Sequence, residues 1–129
     1  DGKALADLIH RQIVPVMAPL THDGNGNLLN TNADTIAGET AKALAEYFDV
    51  TLVYCFEKKG VLRDENDDDS VIPVLTPDLF KQYVEEGIVQ GGMIPKLENS
   101  FSALDAGVSQ VVITLASAIY KDSGTIIRK

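Results

Sequence analysis

The chain has 129 residues, of which 45% are hydrophobic, so it can bury one hydrophobic core. Its formal net charge of −8 does not offer the basic face that nucleic-acid binding requires, so we expect no nucleic-acid partner. The sequence has no apolar run of membrane-spanning length and no recognisable signal peptide, so we expect no membrane partner. The single cysteine, Cys55, cannot form an internal disulfide, which favours a reducing, cytoplasmic setting.

The first part of the chain predicts a helix, a hairpin and a second helix. Residues 3–11 carry apolar side chains at helical spacing, and the apolar, β-branched run 13–20 predicts a strand covered on both faces. Asp23-Gly24-Asn25-Gly26 predicts a hairpin turn, with residues 27–30 as the returning strand, because Asp-Gly and Asn-Gly pairs tolerate positive φ angles. Residues 33–47 combine alanines with apolar residues at helical spacing and predict a helix.

The central part predicts a strand, an exposed loop and a capped helix. Residues 50–56 form a second apolar run, and we expect this strand, including Cys55, to be buried. The acidic cluster 64–69 predicts an exposed loop. A helix is predicted from Thr76 to about Glu86, because threonine caps a helix N-terminus and the following proline and aspartate suit its first turn.

The last part predicts a helix over 93–106, a strand over 108–114 and a final strand over 125–127. Strands that alternate with helices indicate an α/β fold, with a mostly parallel open sheet flanked by helices on both faces. In such folds ligands bind beyond the carboxyl ends of the strands.

The residue types that usually bind metals do not form a metal site in this sequence. Asp64, Asn66 and Asp68 alternate as in a calcium-binding loop, but Leu75 stands where that loop requires a bidentate glutamate. His10 and His22 each lack further ligands at metal-binding spacing. We therefore predict no protein-bound metal and a solvated acidic loop.

Two predicted helix starts carry residues suited to anions. Asn30-Thr31-Asn32-Ala33-Asp34 offers amides and a carboxylate, and Gly91-Gly92-Met93-Ile94-Pro95-Lys96 offers glycines and a cation. A helix N-terminus can hold an anionic group through its free backbone N–H groups and its dipole. The same residues are also typical of ordinary caps and turns, so the residues alone leave both interpretations open.

Three blocks in this order resemble the C-terminal half of the acetylglutamate kinases, within the amino-acid kinase family. They are Asn30–Asp34, Lys59–Leu62 and Gly91–Asn99, and the last continues into Ala103–Val108. The resemblance extends from about Val14 to Ile127.

The resemblance implies an enzyme that uses ATP with Mg²⁺ to phosphorylate the γ-carboxylate of an N-acylglutamate in arginine biosynthesis. It implies that Lys96 stabilises the transition state, that Asp34 orients the catalytic lysines, and that Asn30 and Asn32 bind the acylglutamate. It also implies nucleotide contacts from two segments, namely Glu57, Lys58, Lys59, Gly60, Val61, Leu62 and Ile88, Val89, Gln90. The family usually has Thr-Asp-Val-x-Gly where this chain has Phe56-Glu57-Lys58-Lys59-Gly60, so Glu57 keeps the charge on a longer stem.

By the same resemblance, residues 1–48 are the end of an acylglutamate-binding domain and residues 49–129 a nucleotide-binding domain. Family members are about twice as long, and their N-terminal half carries a second lysine and an arginine that grips the substrate. We therefore expect this chain to be an incomplete piece with little or no activity alone, and the intact enzyme to be a homodimer. The alternatives are another amino-acid kinase, such as an aspartate, glutamate or carbamate kinase, or a non-catalytic nucleotide-binding module.

Overall fold

The computed structural model describes residues 1–119 and 123–129, which contain helices and two sheets. The helices are α1 Gly2–His10, α2 Ala33–Leu44, α3 Pro77–Glu85 and α4 Met93–Asp105. The strands are β1 Leu20–His22, β2 Leu28–Asn30, β3 Thr51–Phe56, β4 Val74–Leu75, β5 Gln110–Leu115 and β6 Thr125–Ile127.

The larger sheet has the strand order β3-β5-β6-β4. β3 and β5 run parallel over their whole length, from Thr51 opposite Gln110 to Phe56 opposite Leu115. β4 and β6 are also parallel, whereas β5 and β6 are antiparallel. α2 packs against α1, α4 and β3, and α4 also packs against β5. The predicted α/β fold with a mostly parallel sheet flanked by helices is confirmed.

The predicted helix signals act as expected. The Thr76 hydroxyl accepts a hydrogen bond from the N–H of Leu79, and Pro77 begins α3. Gly87 and Gly107 follow α3 and α4 with φ angles of 72° and 102°, which glycine adopts without steric cost. Both predicted helix ends are therefore confirmed to within one or two residues.

The hydrophobic core lies between α4, α3 and the larger sheet. Its fully buried apolar side chains come from three of the strands, from α4 and from the segment between α3 and α4, and they include Leu75, Val89, Leu97, Val111, Ile113 and Ile127. Leu97 points into this core, so the residue before it, Lys96, is held at the surface of the same helix.

The hairpin is also confirmed. β1 and β2 form a separate two-stranded antiparallel sheet in which Leu20 pairs with Asn30. The carboxylate of Asp23 accepts hydrogen bonds from the N–H groups of Asn25 and Asn27, which closes the turn.

The predicted strand over 13–20 is wrong except at its last residue. Only Leu20 belongs to a strand, and Val14 and Val16 are 83% and 92% exposed. No strand lies beside residues 13–18 in the described part of the chain, and most of their side chains are exposed. Met17 and Pro19 line an apolar groove of about 340 Å³ beside α2 and β3.

The prediction that β3 is buried throughout is wrong as well. Leu52 and Tyr54 are buried, whereas Thr51 and the free Cys55 are exposed. β3 is an edge strand of its sheet, and alternate residues of a strand face opposite sides. In addition, α2 ends at Leu44, three residues earlier than predicted.

No helix in the two described ranges combines the length and the hydrophobicity needed to cross a lipid bilayer.

Candidate functional site

The first turns of α2 and α4 meet beside the carboxyl end of β3. There the carboxylate of Asp34 and the ammonium group of Lys96 form an ion pair of 3.0 Å. Their side chains are 32% and 21% exposed, so the pair is partly shielded from water yet open to a ligand. Sixty-two residues separate them in sequence, and the fold brings them together.

Asp34 is placed by the cap of α2 and by β3. The side-chain oxygen of Asn32 accepts hydrogen bonds from the N–H groups of Asp34 and Thr35, at 2.8 and 3.4 Å. The hydroxyl of Tyr54 donates to the backbone carbonyl of Asp34 at 3.2 Å. Burial raises the pKa of the Tyr54 phenol, and the negative charge of Asp34 raises it further. The phenol is therefore held in its neutral, donating form.

Lys96 lies in the first turn of α4, with its ammonium nitrogen 3.6 Å from the centroid of the Phe56 ring. The cap residue Gly92 has no side chain to bond the helix start. The N–H groups of Met93 and Ile94 donate to the carbonyls of the preceding turn, at Gln90 and Gly91. The interpretation that free backbone N–H groups at both helix starts hold an anion is therefore wrong for Asp34 and Thr35 of α2 and for Met93 and Ile94 of α4. The N–H groups of these four residues are already hydrogen-bonded. Side-chain charge and the helix dipole are what the site offers.

A cleft of about 720 Å³ opens beside this ion pair. Its walls include Phe56, Glu57, Lys58, Gly92 and Lys96. The carboxyl end of β3, the N-terminus of α4 and two lysines therefore surround a space large enough for phosphate groups.

A second cavity, of about 310 Å³, lies where the two predicted nucleotide segments meet. It is lined by residues of both segments and by their neighbours, namely Lys58, Gly60, Val61, Leu62, Glu65, Asn66, Ile88, Val89, Gln90 and Met93. Lys58 and Met93 also line the first cleft, so the two spaces are adjacent. Of the predicted nucleotide residues, Glu57 lines only the first cleft and Lys59 lines neither.

The acidic loop engages both lysines. Lys58 donates to the carbonyl of Glu65 at 3.2 Å and pairs with Asp68 at 3.4 Å. Lys59 pairs with Asp69 at 2.6 Å. The hydrogen bond from Lys59 and its charge lower the pKa of the Asp69 carboxyl, and the same contact raises the pKa of Lys59. Both lysines thus contact the acidic loop, of which Glu65 and Asn66 line the second cavity.

The two predicted substrate-binding asparagines are exposed, and neither lines the two spaces. Asn30 ends β2 and is exposed, and Asn32 uses its side-chain oxygen for the cap of α2. The amide nitrogens of both are not hydrogen-bonded within residues 1–119 and 123–129. In that same part of the chain no group of three or more His, Cys, Asp or Glu side chains could hold a metal ion.

Sequence reasoning missed Tyr54 and Phe56 as members of this site. Both lie on the face of β3 that meets Asp34 and Lys96. The signal was available, since two aromatic residues at strand spacing stand just before Glu57, the acidic residue that follows the strand.

Comparison with known proteins identifies the class to which this fold and site belong. The sequence profile described as "Amino acid kinase family" matches residues 1–115. The chain therefore belongs to the amino acid kinase family, as its sequence motifs predicted.

Within that family, the chain is similar to curated proteins named acetylglutamate kinase. It is 82% identical to the acetylglutamate kinase of Phocaeicola vulgatus over 125 residues, which are 97% of this chain and 49% of that protein. It is 75% identical to that of Bacteroides thetaiotaomicron over 129 residues, which are 100% of this chain and 50% of that protein. The chain spans about half the length of the curated relatives it matches.

Solved structures share the fold. A crystal structure from Streptococcus mutans UA159 superposes with a TM-score of 0.77 and 29% identity, over 98% of this chain and 47% of that one. The carbamate kinase of Giardia lamblia superposes with a TM-score of 0.68 and 17% identity, over 99% and 49%. The second likeness concerns the fold alone.

Proposed function

We propose that this chain is part of an acetylglutamate kinase. The enzyme transfers the γ-phosphoryl group of MgATP to the γ-carboxylate of N-acetyl-L-glutamate, or of a related N-acylglutamate, in arginine biosynthesis. The observation that carries the proposal is the 3.0 Å ion pair between Asp34 and Lys96 beside an open cleft. The 82% identity to a protein of that name supports the choice of substrate.

The chemistry requires positioning and charge more than covalent catalysis. A carboxylate oxygen of the substrate attacks the γ-phosphorus, and the bond from that phosphorus to the β,γ-bridging oxygen breaks. The two products are ADP, which is the leaving group, and the acyl phosphate. Negative charge spreads over the oxygens of the transferring group, and a fixed cation stabilises it. Lys96 supplies that cation, and Asp34 orients it.

The other residues divide between the two substrates. Asn30 and Asn32 donate from their amide nitrogens to the N-acylglutamate. The apolar part of the lining of the second cavity, formed by Val61, Leu62, Ile88, Val89 and Met93, suits a purine ring, so the segments 57–62 and 88–90 bind the nucleotide. Lys58, which lines both spaces, contacts the phosphates between them.

The boundary between two domains lies after residue 48, as the sequence predicts. Residues 1–48 belong to the acylglutamate-binding domain and residues 49–129 to the nucleotide-binding domain. The whole enzyme is a cytoplasmic homodimer. Because the chain spans about half of its relatives, the remaining substrate contacts come from the part that it does not match.

The test uses a joined chain, in which the part of the Phocaeicola vulgatus relative that this chain does not match is fused to it. ATP consumption that depends on N-acetylglutamate is measured with Lys96→Met and with the control Lys81→Met, which changes an exposed lysine of α3. Loss of the fixed cation is expected to lower kcat by about 100-fold or more. The control is expected to keep full activity, and full activity of Lys96→Met contradicts the proposal.

The same assay distinguishes the alternatives. Turnover with aspartate, glutamate or carbamate in place of N-acetylglutamate indicates another member of the family. The 129-residue chain alone is expected to show almost no turnover. Calorimetry of that chain with MgATP and MgADP, followed by titration with the separately made other part, distinguishes a nucleotide sensor from a complementing half.

A further inference from the structure

The ammonium group of Lys96 lies over the face of an aromatic ring. Its nitrogen is 3.6 Å from the centroid of Phe56 and 3.0 Å from the carboxylate of Asp34. A cation over a ring face is attracted by the ring's quadrupole, and this attraction strengthens where water is partly excluded. The ring and the carboxylate therefore fix two sides of one ammonium group.

Phe56 is itself held by a neighbour on the same strand. Its ring stacks on that of Tyr54, with centroids 6.4 Å apart and planes inclined by 13°. Tyr54 is 4% exposed, and its hydroxyl donates to the carbonyl of Asp34. The contacts run in a closed circuit from Tyr54 to Phe56, Lys96 and Asp34 and back to Tyr54.

These contacts restrict the conformations of the Lys96 side chain. Its four-carbon stem has many rotamers, and an unsupported ammonium group loses conformational entropy when a ligand fixes it. A cation that must meet developing charge is more effective when it is fixed beforehand. The ring suits this purpose because it restrains the ammonium group without neutralising it, which leaves donor capacity for an anion in the adjoining cleft.

We infer that Phe56 is a positioning residue, which holds the ammonium group of Lys96 in the orientation that meets the transferring phosphoryl group. The inference rests on the proposed function. Phe56 stands where the family pattern usually has threonine, a side chain with no ring face.

The experiment compares Phe56 variants of the joined chain. Phe56→Leu keeps an apolar side chain and removes the ring, whereas Phe56→Trp keeps a ring face. Phe80→Leu is the matched control, because Phe80 contacts Phe101 in the packing of α3 on α4, outside the site. We expect Phe56→Leu to lower kcat by about 5- to 20-fold with an almost unchanged KM for N-acetylglutamate, and Phe56→Trp to stay within about threefold of the parent.

A proton NMR measurement reports the contact itself. The ring current of Phe56 is expected to shift the ε-methylene protons of Lys96 upfield, and Phe56→Leu is expected to abolish that shift. Should Phe56→Leu not fold, Phe56→Met makes the same comparison.

The outcomes separate this inference from the function on which it rests. An unchanged kcat in Phe56→Leu, together with an inactive Lys96→Met, overturns the inference and leaves the proposed function standing. The inference also fails if Phe56→Trp is as impaired as Phe56→Leu, since the ring face then contributes nothing. An active Lys96→Met overturns the proposed function itself.

Discussion

The backbone N–H of Val61 donates a hydrogen bond of 2.8 Å to the hydroxyl of Thr125, 64 residues further along the chain. The same hydroxyl donates to the carbonyl of Ile72 at 2.7 Å. All three residues are buried. The first residue of β6 thus fixes the segment that lines the proposed nucleotide cavity.

Thr125→Val is expected to destabilise the chain by about 2 to 3 kcal/mol. The change preserves shape but leaves a buried N–H and a buried carbonyl without their partner, and each such group costs free energy. The free energy of unfolding in urea measures the effect.

Thr114→Val is the matched control, because Thr114 is equally buried and its hydroxyl has no hydrogen-bond partner among the residues that the structure describes. Removing an unpaired polar atom is expected to be neutral or slightly stabilising. Equal losses from the two substitutions would show that the hydrogen bonds of Thr125 contribute nothing particular.

Gly60→Ala is expected to cost roughly 1 to 3 kcal/mol, as overpacking does. A Cβ atom there would lie 2.8 Å from the Thr125 hydroxyl and 3.1 Å from its backbone nitrogen. Gly92→Ala has no atom within 4 Å of the new Cβ and is expected to unfold at nearly the parent urea concentration. A larger loss from Gly92→Ala than from Gly60→Ala contradicts this prediction.

Asn32→Ala is expected to lower stability by about 1 kcal/mol, because it removes the cap of α2. Asn32→Asp keeps a side-chain oxygen for the cap but loses the amide N–H donors. It is expected to retain stability and, in the joined chain, to raise the KM for N-acetylglutamate. An unaltered KM would restrict Asn32 to its capping role.

The phenol of Tyr54 makes stability fall at high pH. Its pKa is raised in the folded chain, first by burial and then by the charge of Asp34, so the folded state holds the proton more tightly. This contribution is complete below the ordinary tyrosine pKa of about 10 and is lost as the pH rises through the higher folded value. The difference in unfolding free energy between the parent and Tyr54→Phe, measured against pH, should shrink in that window. A constant difference refutes the assignment.

Lys59→Gln is expected to return the pKa of Asp69 towards its ordinary value, since the hydrogen bond and charge of Lys59 lower it. Carbon-13 NMR titration of the carboxyl group measures the change. Lys58→Gln, whose nitrogen pairs with Asp68 instead, should leave the Asp69 titration nearly unaffected.

Local signals in the sequence predicted local structure well. Thr76 and Pro77 fixed the start of α3, and the Asp-Gly and Asn-Gly pairs marked the hairpin, because caps and turns depend on residues close in sequence. The strand prediction over 13–20 failed because an apolar run becomes a strand only beside a partner. The two-residue β4 and the antiparallel pairing of β6 also depend on distant residues and left no local signal.

In the candidate site, too, local sequence predicts some features and not others. Helical spacing placed Asp34 and Lys96 at two helix starts, but nothing in their own neighbourhoods says that the helices meet. Only the family resemblance joined them, and the structure places them 3.0 Å apart. The ring of Phe56 could not be assigned by that route, because the family pattern has threonine at its position.

The uncovered side chains of residues 13–18 bear on how this chain behaves at high concentration. In the described part of the chain β3 pairs only with β5, so the backbone groups on its other edge are unpaired. These backbone groups and the exposed apolar side chains are both surfaces on which other molecules can bind. Purified samples should therefore self-associate on concentration, and substituting Val16 with lysine should raise the concentration at which light scattering begins to increase.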